Sequence, residues 1–306
     1  MKILFTGATG VIGRQALPML IEEGHDVTAV SRSESDRDWI DSLGARPAQV
    51  NLFEADAVSG AMSGIDTVVH YATTIPPQSR MTKRESWHMN DRLRSEATTN
   101  LVDAAIAAGA SRFIQQSITF FYADGNDEWL TEDSPIDPVW DVLDSALTAE
   151  RHVDRFRSSG GNGVVLRLGR LYGPGSASAE YIQSVRNRKM PVVGNGANFV
   201  SSLHTHDAGS ALVAAMTAPD GTFNIADDAP MRSIDFIEGL ASMIGAKTPR
   251  KYPAWVGKLV AGKASGLLTI SHRVSNSAYR SATGWAPKYP SVAEGWASVV
   301  AENGAE

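Results

Sequence analysis

The stretch MKILFTGATGVIG, residues 1–13, decides the fold of this chain. An apolar run, Ile3–Phe5, leads directly into a glycine-rich segment, and the apolar residues that follow recur at helical spacing. Strand, glycine turn and helix in this order, with the spacing Gly7-x-x-Gly10-x-x-Gly13, form a variant of the dinucleotide-binding fingerprint. We therefore predict a nucleotide site where the first helix begins.

Each glycine of this segment has its own predicted role. Gly7 lets the chain turn sharply out of the strand, Gly10 lets backbone N–H groups approach a pyrophosphate, and Gly13 lets the helix pack closely on the sheet. The phosphates would lie on the free N–H groups and the positive dipole end of that helix. The cofactor contacts predicted in the segment are Gly7, Thr9, Gly10, Val11, Ile12 and Gly13.

The composition of the whole chain excludes several classes of protein. Its 306 residues, 43% apolar and 20% charged, describe an ordinary globular protein with one large α/β domain or two interleaved ones. The net charge of -6 argues against a nucleic-acid partner, and the absence of cysteine excludes disulfides and thiolate metal sites. The first apolar run is too short for a signal peptide, and none has the length of a membrane span. We therefore expect a cytoplasmic protein without a metal or membrane partner that acts on a small molecule.

The end of the second predicted strand, Asp26–Val30, favours NADP as the cofactor. An acidic side chain at this place would bind the ribose 2′-hydroxyl of NAD, whereas an arginine would attract the 2′-phosphate of NADP. The chain has Ser31 and Arg32 here instead of an acid, followed by the hydroxyls of Ser33 and Ser35. The alternative is that the arginine belongs to a solvated loop and binds nothing.

Strand-like runs alternate with amphipathic helical stretches through the first half, which predicts a parallel sheet covered on both faces. A third strand is predicted over Arg46–Leu52 and a fourth over Asp66–His70, followed by small polar residues and a proline pair. A long helix is predicted over Glu85–Ala108 with a glycine C-cap. A fifth strand is predicted over Arg112–Ser117 and runs on toward residue 122.

Several motifs in this order and spacing resemble the extended short-chain dehydrogenase/reductase family, the NAD(P)-dependent epimerases and dehydratases. They are TGATGVIG at 6–13, Asp66–Ala72 (D-x-V-x-H-x-A), Asn90, Arg167–Gly175 (RLGRLYGPG), Leu203–Asp207, Phe223–Ile225 and Gly284–Pro287. The resemblance implies a Rossmann doubly wound parallel sheet in residues 1–174, completed by about 203–226. It also implies a smaller C-terminal α/β substrate domain in residues 175–306. The further cofactor contacts that we predict are Ser31, Arg32, Asn51, Leu52, Tyr71, Ala72, Thr73, Asn90 and Gln116.

The chain departs from the family at its catalytic Tyr-x-x-x-Lys pair. In the family the tyrosine exchanges a proton with the substrate oxygen, and the lysine lowers the pKa of the tyrosine and binds the nicotinamide ribose. Counting back from Glu150 places Val142 in the tyrosine position and Ala146 in the lysine position. No tyrosine or lysine occurs between Ala123 and Leu171, so a small error of register would not restore the pair.

Three hydroxyls near the end of the fifth strand are the predicted catalytic residues. Tyr122 matches the tyrosine of the family's V-Y-G motif, which places Ile118 in the usual hydroxyl position between Ser117 and Thr119. Alternation along an extended segment would put Ser117 and Thr119 on one face if the strand continues that far. A structural role is the alternative for Tyr122, as it is for His70.

Three functions remain open at this stage. The first is an NADP-dependent oxidoreductase or epimerase-like enzyme that acts on a small polar or carbonyl-bearing substrate, with Thr119, Tyr122 or a group of the substrate domain moving the proton. The second is a regulator or binding module that keeps the nucleotide but has lost redox catalysis. The third is an isomerase or lyase that uses the old pocket without redox chemistry. Family members often form homodimers through two long helices, which correspond to residues 90–108 and 141–157.

Overall fold

The computed structural model describes residues 1–261 and 265–303, which divide into two compact units. Unit 1 comprises Met1–Ser117, Val142–Arg167 and Ala208–Phe223. Unit 2 comprises Ile118–Asp141, Leu168–Asp207 and the described residues from Asn224 onward. The division into a Rossmann domain of residues 1–174, completed by about 203–226, and substrate-binding segments in residues 175–306 stays a prediction.

Strands and helices alternate through most of the chain. The strands in the described ranges are β1 (Lys2–Thr6), β2 (Asp26–Val30), β3 (Arg46–Ala48), β4 (Thr67–His70), β5 (Arg112–Ile118), β6 (Trp129–Leu130), β7 (Asn162–Leu168), β8 (Arg170–Tyr172), β9 (Val192–Val193), β10 (Phe199–Val200), β11 (Ser202–His204), β12 (Gly221–Ile225), β13 (Met231–Arg232), β14 (Lys251–Tyr252) and β15 (Arg273–Val274). The α-helices there are α1 (Gly13–Glu22), α2 (Glu34–Ser42), α3 (Ala55–Gly60), α4 (His88–Arg92), α5 (Thr98–Ala108), α6 (Asp144–Ser158), α7 (Ser178–Arg186), α8 (Thr205–Ala214), α9 (Ser233–Met243), α10 (Ala254–Ala261), α11 (Gly266–Thr269), α12 (Ser277–Thr283) and α13 (Val292–Asn303). Short 3₁₀ turns lie at Gln78–Arg80, Arg84–Trp87 and Asp141–Leu143, and a π turn lies at Leu93–Ala97.

Seven parallel strands form the central sheet in the order β12-β7-β5-β4-β1-β2-β3. Ile3 of β1 lies opposite Val27 of β2 on one side and Thr67 of β4 on the other. The four residues after Lys2 in β1 are buried, as a sheet covered on both faces requires. The strand order reverses at β1, between β2 and β4, and ligands of open α/β sheets bind at the carboxyl end of such a switch point. The predicted doubly wound α/β fold is confirmed.

The long helix predicted over Glu85–Ala108 is present but is not regular. It is interrupted by the π turn, and it ends at Gly109, whose φ of +71° makes it the predicted left-handed C-cap. The Leu93 carbonyl explains the interruption, because it accepts hydrogen bonds from His70 Nε2 at 3.1 Å and from Thr98 Oγ1 at 3.2 Å. Side chains that enter the helical hydrogen-bond ladder widen it locally.

The third strand is shorter than predicted, and the fifth ends one residue after the predicted Arg112–Ser117 instead of running on toward residue 122. β3 ends at Ala48 rather than Leu52, and the chain then turns at residues 51–53, where Asn51 Oδ1 accepts the Phe53 N–H. β5 ends at Ile118, and the Thr119 N–H donates to the Leu168 carbonyl outside the strand ladder. The condition for placing Ser117 and Thr119 on one face, that the strand continues as far as Thr119, is therefore not met.

Unit 2 is built from two-stranded sheets and a separate aromatic core. The strand pairs are β8 with β11, β9 with β14, β10 with β13 and β6 with β15. Trp296 lies at the centre of the core, with ring centroids 5.4 Å from Tyr172 and 6.1 Å from Phe236. Within the described ranges, no helix is both long and apolar enough to cross a membrane.

Candidate active site

The loop between β1 and α1 uses its three glycines in different ways. Gly7 has a φ of +87°, and a Cβ built there would overlap the backbone of Tyr71. A Cβ at Gly13 would overlap the backbone of Gly7 and Ala8. Gly10 is exposed, and a Cβ there would meet only the Gly7 oxygen, at 3.2 Å. Gly7 and Gly13 are thus required by packing, whereas Gly10 keeps the outer side of the loop open for a ligand.

The beginning of α1 presents free backbone donors beside this loop. The first helical bonds are donated by Arg14 to the Gly10 carbonyl and by Ala16 to the Ile12 carbonyl, each at 2.9 Å. The N–H groups of residues 11–13 have no acceptor in the described part of the chain. The helix has no side-chain cap and no acidic residue in its first turn. Free donors and an uncompensated dipole end suit a pyrophosphate, so the loop fits the phosphates of a dinucleotide.

The end of β2 carries a free cation. Arg32 is exposed and makes no hydrogen bond or ion pair with any described residue. The hydroxyl of Ser31 is buried and also lacks a partner among these residues. Ser33 caps α2 by accepting the Asp36 N–H at 3.1 Å, and Arg14 neutralises the Asp36 carboxylate at 2.7 Å. Asp36 is therefore paired with Arg14, and the positive charge of Arg32 is available to a phosphate.

The remaining predicted contacts in unit 1 differ in how far they are already engaged. Asn90 is fully buried; its Oδ1 accepts the Thr74 N–H at 3.1 Å, and its Nδ2 has no acceptor among the described residues. This orphaned donor fits a bound group. The Asn51 amide instead donates to Glu54 at 2.7 Å. Of the other predicted contacts, Leu52, Tyr71 and Gln116 are buried, Ala72 is half-buried and Thr73 is exposed.

Ser117, predicted as catalytic, lies in a buried ionic network. Its hydroxyl donates to Glu150 Oε1 at 2.6 Å. Arg167 donates to the same carboxylate, from Nε to Oε1 at 3.0 Å and from Nη2 to Oε2 at 2.7 Å. Arg94 of the π turn is also buried, and burial lowers its pKa to about 10 although the charges of Asp91 and Glu150 raise it. The Ser117 hydroxyl is thus engaged with a buried ion pair.

Thr119 and Tyr122, the other predicted catalytic residues, lie in unit 2 with their hydroxyls engaged. The Thr119 hydroxyl donates to the Leu168 carbonyl at 3.3 Å. Tyr122 is fully buried, and its phenol donates to Asn224 Oδ1 at 2.8 Å. Its backbone carbonyl accepts from His272 Nε2 at 2.9 Å. The surroundings of Tyr122 match the structural alternative raised for it.

The two positions of the missing catalytic pair hold packing residues. Val142 lies in the 3₁₀ turn before α6, and Ala146 lies in its first turn. Both side chains are completely buried. Neither can exchange a proton with a substrate.

His70 and His204 are neutral and packed. His70 Nδ1 accepts from the Thr6 hydroxyl at 2.6 Å, and burial lowers the pKa of this histidine to about 4. Burial also lowers the pKa of His204 to about 4, and its ring lies 5.2 Å from Tyr172 and 4.1 Å from Tyr289. No group of three or more histidine, aspartate or glutamate side chains in the described ranges is arranged to hold a metal.

Asp227 in unit 2 is a buried carboxyl group that the sequence did not single out. Burial raises its pKa to about 8, and the nearby charges of Asp228 and Asp207 add to this effect. The backbone N–H groups of Ala229 and Ser202 offset only part of the increase. The group therefore holds its proton at pH values where an ordinary aspartate is ionised.

We expect Asp227→Asn to change how stability depends on pH. The folded state binds this proton more tightly than the unfolded chain does. The contribution of protonated Asp227 to the free energy of unfolding is therefore fully present below about pH 4. It is lost as the pH rises through about 8. Asparagine does not ionise. Within this window, the free energy of unfolding of the variant should therefore rise relative to that of the wild type by on the order of 1 kcal/mol per pH unit. Urea unfolding of both proteins across that range tests this, and a constant difference would contradict it.

Two features of the site were missed in the sequence. Arg94 lies on the buried side of its helix, with Leu93 and Ala97, and a charge beside these apolar residues is the signal that could have found it. Asp227 gave no such signal, because its burial depends on tertiary packing in unit 2.

Similar sequences show which family this chain belongs to. The model of the NAD dependent epimerase/dehydratase family matches residues 3–226. A Streptomyces protein named 3-diazoavenalumate denitrifying reductase is 35% identical over 96% of this chain and 99% of its own length. A 3 beta-hydroxysteroid dehydrogenase/Delta 5→4-isomerase of Mycobacterium tuberculosis is 25% identical over 81% of this chain and 71% of its own length.

Solved structures share the fold across both chain lengths. The dTDP-glucose 4,6-dehydratase DesIV of Streptomyces venezuelae, with NAD bound, has a TM-score of 0.80 at 18% identity and covers 98% of this chain and 96% of its own. A human epimerase family protein with NADPH has a TM-score of 0.78 at 22% identity and covers 99% of this chain and 100% of its own. This chain belongs to the NAD-dependent epimerase/dehydratase family of NAD(P)-binding oxidoreductases and epimerases.

Proposed function

We propose that this chain is an NADPH-dependent reductase whose substrate is a small organic carboxylate bearing a diazo group. The observation that carries the proposal is the 35% identity, over 96% of the chain, to a reductase named for the denitrification of 3-diazoavenalumate. The similarity extends along 99% of that relative, so it includes the segments predicted to bind the substrate.

The departure from the Tyr-x-x-x-Lys pair supports a substrate of this kind. Reduction of a carbonyl needs a proton donor close to the developing alkoxide. Val142 and Ala146 cannot supply one. When bound, the nicotinamide would supply a hydride to the diazo compound; the diazo nitrogens leave as dinitrogen, hydrogen takes their place, and the organic anion that remains takes a proton from solvent, so no proton is needed from the protein.

The residues of the chain then bind the cofactor and orient it. Gly10 and the free N–H groups of residues 11–13 hold the pyrophosphate, Arg32 holds the 2′-phosphate, and the Asn90 amide donates to the bound cofactor. We propose that Thr119 and Tyr122 shape the loop after β5 through their hydrogen bonds instead of transferring protons. Thr119→Val and Tyr122→Phe should then keep their turnover, whereas a loss of about tenfold or more in either would assign proton transfer to that residue.

Arg32→Ala should weaken NADPH binding by about tenfold or more and leave NADH binding nearly unchanged, because only NADPH has the 2′-phosphate. Arg46→Ala is the matched control, since Arg46 is equally cationic, 61% exposed and paired with Asp26 at the amino end of β3. Dissociation constants from nicotinamide fluorescence test this. Equal losses for both cofactors in Arg32→Ala, or a wild type that prefers NADH, would contradict NADP selectivity.

Turnover of a defined diazo acid tests the proposed reaction. The probe is the diazo compound made by diazotising 3-amino-4-hydroxybenzoate, and the matched control is 3-acetyl-4-hydroxybenzoate, which offers a ketone at the same ring position. We expect one NADP⁺ for each 4-hydroxybenzoate formed, and no reduction of the ketone. Reduction of the ketone alone would instead identify a carbonyl reductase. Product formation without NADPH oxidation would identify a non-redox enzyme.

We also propose a homodimer through α5 and α6. These helices pack against each other in unit 1, and their exposed sides carry the ion pair between Arg155 and Asp103. Light scattering should give twice the monomer mass, and a monomer at all concentrations would reject the proposal.

A further inference from the structure

Unit 2 contains a cavity of about 230 Å³ that combines apolar walls with positive charge. We propose that it binds the carboxylate of a small apolar organic acid, with Arg170 as the anion-binding residue. That this acid is the substrate rests on the proposed function, whereas the binding site itself does not. Six of its lining residues are Arg170, Lys189, Val193, Val200, Phe236 and Leu268.

Arg170 is fixed by its backbone and free at its side chain. It begins β8, its N–H donates to the Ser201 carbonyl at 2.9 Å, and it lies opposite Ser202 of β11. The side chain is half-buried, yet it makes no hydrogen bond or ion pair with any described residue. Its charge reaches the interior, where it contributes to the lowered pKa of His272. A guanidinium has five donors, and leaving them unpaired beside apolar walls is costly unless an anion accepts them.

Other polar side chains of the cavity are already paired. The Asn198 amide donates to the Ile270 carbonyl at 3.1 Å, and its oxygen accepts from the Ser233 hydroxyl at 2.8 Å. Lys189 is exposed, so its charge lies where water screens it. Among the described lining residues, Arg170 is therefore the half-buried polar group that still lacks an acceptor.

The shape and chemistry of the cavity define the class of ligand. Val193, Val200 and Phe236 are buried apolar side chains and offer no partner to the hydroxyls of a sugar. Drug-sized ligands occupy pockets of about 300–1,000 Å³, so this smaller cavity fits a small molecule. A planar guanidinium binds a carboxylate with two parallel hydrogen bonds. An apolar body with one carboxylate satisfies both the walls and the cation.

Calorimetric titration of the full chain with cinnamate and with its neutral amide, cinnamamide, tests this site. Cinnamate should bind at least about tenfold more tightly than cinnamamide, because a hydrogen bond to a charged group contributes about 1.5–3 kcal/mol. Arg170→Leu should remove this preference, and Arg170→Lys should restore part of it. Lys251→Gln is the matched control, because Lys251 is an exposed cation of unit 2 that pairs with Glu238 and does not line the cavity. It should change cinnamate affinity by less than about threefold, because exposed charges contribute little.

Equal affinity for cinnamate and cinnamamide, or unchanged cinnamate binding in a folded Arg170→Leu protein, would overturn the proposal. Failure of both cinnamate and octanoate to bind would also overturn it. Thermal melting shows whether each variant is folded. Because the titration needs no turnover, acid binding that depends on Arg170 without diazo reduction would reject only the proposed function. Diazo reduction that does not depend on Arg170 would reject only the assignment of the bound acid as the substrate.

Discussion

Gly7→Ala is expected to lower the free energy of unfolding by about 3 kcal/mol or more. Two costs combine at this position. The φ of +87° is strained for any residue with a Cβ, and the new methyl would overlap the Tyr71 backbone where the chain leaves β4. Neither backbone can move freely, because β1 and β4 pair in the middle of the central sheet.

Gly24→Ala separates these two costs. Gly24 has a similar φ of +79°, but a Cβ there would meet nothing within 4 Å. The substitution should lower the free energy of unfolding only by the strain of a left-handed backbone, about 1–2 kcal/mol. Urea unfolding gives the loss of stability in each variant, and the loss in Gly7→Ala minus the loss in Gly24→Ala is the cost of the overlap. Equal losses would show that the loop relaxes away from Tyr71, and that the close approach does not constrain the fold.

Glu150→Ala should destabilise unit 1 by about 3–5 kcal/mol, which is the cost of leaving a buried charge unpaired. Glu150 is 8% exposed and is the bidentate partner of Arg167, which is 6% exposed. It also lies close enough to the buried Arg94 to raise the pKa of that guanidinium. Its removal therefore takes the bidentate acceptor from Arg167 and the acceptor from the Ser117 hydroxyl, and it leaves Asp91 as the acid near Arg94.

Glu96→Ala is the matched control for this prediction. Glu96 also forms a bidentate pair, with Arg92 on the same helix, but this pair is at the surface, and its loss should change stability little. Denaturant unfolding of the two variants tests the contrast. A small loss in Glu150→Ala, comparable to that of Glu96→Ala, would contradict the network. Ser117→Ala should cost less than Glu150→Ala, because it removes one hydrogen bond and no charge.

The sequence predicted the parts of the fold that depend on local chemistry. The bounds of β2 and the glycine C-cap at Gly109 follow from propensity and backbone freedom, and the structure has both as predicted. The π turn could not be predicted, because it arises when His70 reaches the Leu93 carbonyl from a strand more than twenty residues away. Periodicity describes one segment at a time and does not register such contacts.

The candidate site shows the same limit. The glycine loop and Arg32 are contiguous in sequence, so a motif identifies them. The partner of Ser117 is Glu150, and only the folded chain brings the two together. The cavity around Arg170 is lined by residues as distant as Leu268, so no spacing rule points to it. Catalytic roles assigned by counting from a family motif are therefore weaker predictions than the cofactor loop.

The most direct measurement is a fluorescence titration of the purified protein with NADPH and NADH, repeated with Gly10→Val. We expect the wild type to bind both cofactors and to prefer NADPH. Gly10→Val should lose binding while its melting temperature stays close to that of the wild type, because Gly10 is exposed and faces the open side of the loop. Absence of binding in the wild type, or unchanged binding in Gly10→Val, would contradict a dinucleotide site at residues 7–13.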